Sequence, residues 1–95
     1  MTYHAVTERD ELAACYADYF LSNCKTKPDA DDRRMIRKAA YTSADFVQTS
    51  RSHKPRIETA LNHLRKSGYN LKTSRLMAQA VNAIGRDYTA YSFDD

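Results

Sequence analysis

The sequence predicts an all-α fold: a compact bundle of four to five short helices whose C-terminal pair is helix-turn-helix-like. Three observations predict it. Two glycines and two prolines in 95 residues leave little material for the many tight turns of an all-β fold, while the Ala, Leu, Arg and Lys content favours helix. Apolar residues recur at helical spacing in four separate stretches. Capping residues, a glycine or a proline punctuate those stretches. The whole of 1–95 reads as one small helical domain, with 1–6 and 87–95 as extended or flexible ends. Its length suffices for one modest core without disulfides or a metal.

The first helix is predicted to open at Thr7, whose hydroxyl can cap it, with Glu8 and Asp10 in the first turn where the dipole favours acid. Leu12, Cys15, Tyr16, Tyr19 and Phe20 then share one broad face opposite Asp10, Glu11 and Asp18. The helix ends near Cys24, and Lys25-Thr26-Lys27-Pro28 is a loop.

The second helix has the cleanest pattern. Asp29, Asp31 and Asp32 crowd its start, suiting the positive helix end. Met35, Ile36, Ala39, Ala40, Ser43, Phe46 and Val47 fall on one side, and Arg33, Arg34, Arg37, Lys38 and Gln48 on the other. The hydroxyl pair Thr42-Ser43 can divide this helix in two.

Thr49 to Lys54 is a polar linker, and Pro55 suits the first position of a third helix. Ile57, Ala60, Leu61 and Leu64 line a narrow core face, and Gly68 stands where a C-cap glycine would. The fourth helix is predicted from Thr73 or Ser74, burying Leu76, Met77, Ala80, Val81 and Ile84 and stopping at Gly85. The expected core is Leu12, Cys15, Tyr19, Phe20, Met35, Ile36, Ala39, Phe46, Val47, Ile57, Leu61, Leu64, Leu76, Ala80, Val81 and Ile84. Asp87 to Phe93 alternates and is aromatic, a segment that either packs back on the domain or binds a partner.

The net charge of +3 hides a strong asymmetry. Residues 1–32 hold three Lys/Arg against seven Asp/Glu, while residues 33–86 hold twelve against two, a net +10. Such a block points to a polyanion or an acidic protein patch as partner, or to acidic ends folded over the basic middle.

The last two helices carry the most concrete hypothesis. In a helix-turn-helix the second helix enters the major groove. Arg75, Gln79, Asn82 and Arg86 fall in one narrow arc, and Arg can take guanine while Gln or Asn takes adenine through bidentate bonds. Lys66, Lys72, Arg33, Arg34, Arg37 and Lys38 can then neutralise phosphates. The stretch from Gly68 to Thr73 is longer than the usual three- to four-residue turn, a departure from the motif. Tyr41 falls among the arginines of the second helix. It suits either stacking on a partner or lying over its own helix or against a neighbouring one.

The expected function is therefore a small non-enzymatic binding protein, a DNA-binding regulator in its most concrete form. The competing reading is a protein-interaction module, such as an inhibitor or adaptor that docks on an acidic surface or blocks another protein's nucleic-acid site. In that reading Tyr41 and Arg37 are the hot spot. A DNA reader of this size generally pairs to cover two half-sites, so a homodimer is compatible with the first reading.

Other chemistry finds no pattern. His4, His53 and His63 lack ligands at metal spacing and read as surface or capping residues, so no metal or cofactor is expected. Cys15 and Cys24, nine residues apart on one helix, would stand roughly 13 Å apart, too far for a disulfide. No apolar run approaches a membrane span and the N-terminus lacks the pattern of a signal peptide, so the expected compartment is cytoplasmic.

Overall fold

Each helix begins and ends where its free backbone groups find partners. The computed structural model describes residues 8–50 and 54–86, which form four helices and no strand. Helix α1 (Glu8–Ser22) places Glu8, Asp10 and Glu11 in its first turn, where they oppose the positive helix end. Thr7, its expected cap, lies outside the described residues, as do the N-terminal segment, His4, His53 and the aromatic tail. The helix closes when the Asn23 amide bonds the Tyr19 and Phe20 carbonyls at 3.2 and 3.1 Å.

Helix α2 (Ala30–Thr49) starts in a capping box. The Asp32 amide donates to Asp29 Oδ1 at 2.8 Å, and the Asp29 amide donates back to Asp32 Oδ2 at 3.4 Å. It runs unbroken through Thr42-Ser43, contrary to the predicted division. Ser43 is buried on the core face, and Thr42 spends its hydroxyl on Tyr69 Oη at 3.0 Å rather than on its own helix. Tertiary contact here overrides a weak local preference.

Helix α3 (Ile57–Lys66) takes Arg56 as its N-cap. Pro55 therefore precedes the helix instead of starting it, and lies buried. The far end is a Schellman turn: the Tyr69 amide bonds Leu64 O at 3.2 Å and the Gly68 amide bonds Arg65 O at 3.1 Å. Gly68 has φ +104°, a conformation that only glycine adopts without cost. A Cβ added there would meet nothing within 4 Å, so the cost of Gly68→Ala is purely conformational. It is expected to destabilise the protein by about 1–2 kcal/mol, measured by urea unfolding with an unchanged m-value.

Helix α4 (Leu71–Ile84) starts three residues earlier than the hydroxyls of Thr73 and Ser74 predict. Asn70 is the cap, its Oδ1 accepting from the Thr73 amide at 2.7 Å. Thr73 and Ser74 are instead buried in the interface. The connection is thus only Ser67-Gly68-Tyr69-Asn70.

Helix α1 packs on α2 and α3 on α4, while α4 also touches α1 and α2. That central position explains why α4 buries Thr73, Ser74, Met77, Ala78, Ala80, Val81 and Ile84. The core agrees with expectation at Leu12, Cys15, Phe20, Ile36, Ala39, Val47, Leu64, Ala80, Val81 and Ile84. It departs at Met35 and Ile57, which are 39% and 41% exposed. Tyr19, Phe46, Leu61 and Leu76 are half-buried against the core. Tyr16, Met77 and the small residues Ala13, Ala40, Ala44, Ala60 and Ala78 complete the core. His63 is not a surface or capping residue: its ring stacks on Phe46 at 4.4 Å between centroids, joining α3 to α2.

Tyr16 ties the start of the bundle to its end. Its hydroxyl, carried by a fully buried side chain, donates to the Gly85 carbonyl, and Gly85 turns the chain out of α4 at φ +66°. Burial pushes the Tyr16 hydroxyl well above its ordinary value, with the neighbouring Cys15 thiol adding and Arg86 opposing. Burial, then Asp18 and Glu11, push the Cys15 thiol from 9.0 to about 11. Both groups hold their protons more tightly folded than unfolded. Their stabilisation is complete below the unfolded values and is lost as pH rises through the folded ones. Stability is expected to fall as pH climbs from about 9 to 11, followed by denaturant midpoints, and Tyr16→Phe should shallow that fall.

Candidate nucleic-acid interface

The short turn and the burial of α4 together define what this helix can offer. Four connecting residues containing Gly68 meet the usual length of a helix-turn-helix, removing the departure that the sequence suggested. Because α4 is packed on three sides, its exposed surface is a stripe of about a third of its circumference, judged from the exposed positions at 100° per residue. Leu71, Lys72, Arg75, Gln79 and Ala83 are the exposed residues of that stripe, and Leu76 is half-buried at its margin. Leu71, Lys72, Arg75, Leu76 and Gln79 border one shallow surface depression.

Two of the four expected base-reading residues are engaged elsewhere. Arg86 lies beyond the end of α4, and its Nη2 donates to Val47 O at 3.0 Å and to Ser50 O. It therefore clamps the C-terminal end of α2, where a cation meets the negative helix end. Its Nε is buried without a partner among the described residues. Asn82 is half-buried, and its Nδ2 donates to Pro55 O at 3.3 Å, fastening the α2–α3 linker to α4. Arg75 and Gln79 remain exposed, one helical turn apart.

The expected phosphate-binding residues divide into two groups. Arg34 and Lys38 border the α3–α4 turn, in a depression lined also by Met35, Tyr69 and Asn70. Lys66 is exposed on the last turn of α3, immediately before that turn, and Lys72 on the first turn of α4. Lys72 meets Met35, Asp32 and Asn70 around a neighbouring pocket of about 160 Å³. These four cations thus surround the N-terminal end of α4. Unlike the other three helices, α4 has no acid of its own in its first turn, although Asp31 and Asp32 of α2 border the depressions at that end. Asp31 lies beside this group and pairs with Arg34 at 3.6 Å, both side chains being strongly exposed. Such a pair contributes little and is readily exchanged for another anion.

Arg37 and Tyr41 face the other way. They border a groove between α1 and α2 together with Asp10, Asp18 and Leu21. The Arg9 guanidinium stands 5.0 Å from the centre of the half-buried Tyr41 ring, and Arg9 Nε pairs with Asp45 at 3.0 Å. The Tyr41 ring is half-buried against the core and faces α1 across this groove. The acidic first helix thus lies across part of the basic second one. Arg33 is exposed on the first turns of α2.

No family model, curated protein or solved structure matches this chain. Among the described residues no helix is long and apolar enough to cross a membrane.

Missed by the sequence reading were the cap Asn70 and the exposed apolar pair Met35 and Leu71, the latter 45% exposed. The signal for Asn70 was present, since an Asn three residues before a hydroxyl run is itself a good N-cap. Nothing in one sequence could single out Leu71, because an isolated leucine at a helix start looks like a core contact.

Proposed function

We propose that this protein is a non-enzymatic DNA-binding protein that lays the exposed stripe of α4, from Leu71 to Gln79, in the major groove. The observation that carries the reading is the juxtaposition of a glycine-containing four-residue turn, exposed Arg75 and Gln79 beyond it, and four cations around it. In helix-turn-helix proteins the N-terminal residues of the second helix contact base edges. Arg75 matches guanine and Gln79 adenine, each through two parallel hydrogen bonds. Arg34, Lys38, Lys66 and Lys72 are placed to meet phosphates on either side, where they fix register without reading sequence.

The groove holding Arg37 and Tyr41 supports a protein-docking reading less well, since Asp10 and Asp18 border it and Arg9 covers the ring. An acidic protein partner would instead find Met35 and Leu71, exposed among the same cations at the α4 end.

Fluorescence anisotropy with a labelled mixed-sequence duplex across a salt series tests the proposal. Four phosphate contacts should give a slope of about −3.6 in log K against log salt. Lys72→Ala should reduce that slope by about 1. Absence of binding at 50 mM salt, or binding indifferent to salt, would overturn the reading.

A further inference from the structure

Leu71 has no evident role inside the fold. It is the first residue of α4 and is 45% exposed, more than any other large apolar side chain among the described residues. Its neighbours on the surface are Lys72, Arg75, Leu76 and Gln79. Nearly half of this leucine stays in water beside two cations, so that part of its apolar surface gains nothing from the fold. Its place on the helix is informative. Leu71, Arg75 and Gln79 stand four residues apart in succession, so they form one slightly winding row along the exposed stripe.

We infer that Leu71 is a specificity-determining residue that receives the 5-methyl group of a thymine in the major groove. The inference rests on the DNA reading proposed above and extends it to a residue that cannot hydrogen-bond a base. The thymine methyl is the one apolar feature that any base pair presents in that groove, and apolar side chains are what contact it. Successive members of the row are about 6 Å apart along the helix. Base pairs follow at about 3.4 Å, so neighbouring members reach base pairs no more than about two steps apart. The order Leu71, Arg75, Gln79 therefore sets the order thymine, guanine, adenine along the groove, with guanine in the middle and the three within about five base pairs. Met35, also exposed, lies on the far side of Lys72 by the α3–α4 turn and is not part of the row.

The test uses a duplex selected by the full-length protein from a random library. Each thymine is then replaced singly by deoxyuridine, which removes the methyl group and leaves pairing intact. At one thymine the replacement should weaken binding by about fourfold, the worth of one buried methyl-sized group. For Leu71→Ala the thymine and deoxyuridine duplexes should bind alike, whereas Leu71→Met should retain the preference for thymine. Leu71 is 45% exposed, so Leu71→Ala is expected to cost less than a core truncation; a thermal melt checks that both variants stay folded at the binding temperature. Sequence-specific binding in which no thymine is sensitive, or in which Leu71→Ala keeps the full sensitivity, overturns the inference while leaving DNA binding in place. Failure to bind any duplex overturns both.

Discussion

Arg75→Ala is expected to weaken binding to a selected duplex by about ten- to a hundredfold, the loss of one bidentate contact to guanine. The same variant should bind a scrambled duplex nearly as well as the unmodified protein does, less the effect of one removed cation. Gln79→Ala should behave alike at an adjoining adenine, relaxing the preference there without altering the guanine. Both side chains are exposed on α4, so neither substitution should change the unfolding midpoint. Competition binding against duplexes with single base-pair changes measures these effects position by position. Equal losses on all sequences would assign Arg75 to phosphate instead of base.

The second large effect concerns Arg86, for which sequence and structure predict opposite phenotypes. Arg86→Met should cost about 2 kcal/mol, because charge-assisted bonds to two carbonyls at the end of α2 are lost. In a domain of this size that corresponds to a fall in melting temperature of roughly 10 °C. Measured on the folded fraction, base preference should remain as it was. The opposite outcome, an unchanged melting temperature with altered base preference, would return Arg86 to the groove. The methionine keeps much of the apolar stem, so the loss reports the guanidinium more than packing.

The contrast between Arg75 and Arg86 shows what one sequence can disclose. Helical spacing located the four helices, because hydrophobic period is a local property, but it drew the turn before α4 too long by passing over the Asn70 cap. The arc through Arg75, Gln79, Asn82 and Arg86 assumed that the helix continued past Gly85. Gly85 had already marked the stop, and its positive φ swings Arg86 toward α2. Asn82 escaped for a different reason. Its partner is the Pro55 carbonyl, 27 residues away, and no periodicity encodes such a contact. Tyr41 and Arg37 illustrate the same limit, since their surroundings depend on where α1 lies. Met35 and Ile57 matched the apolar period but are only partly covered by the bundle, Met35 accepting from Thr73 Oγ1 of α4 at 3.8 Å.

In the proposed DNA-bound state the exposed row of α4, and not the groove between α1 and α2, meets the duplex. Backbone amide chemical shifts of the isotope-labelled protein, followed while a short duplex is added at low salt, test it most directly. The account predicts that the largest changes fall on Leu71 to Gln79, with smaller ones at Arg34, Lys38 and Lys66. Largest changes at Ala14, Arg37 and Tyr41, or none anywhere at saturating DNA, would contradict it.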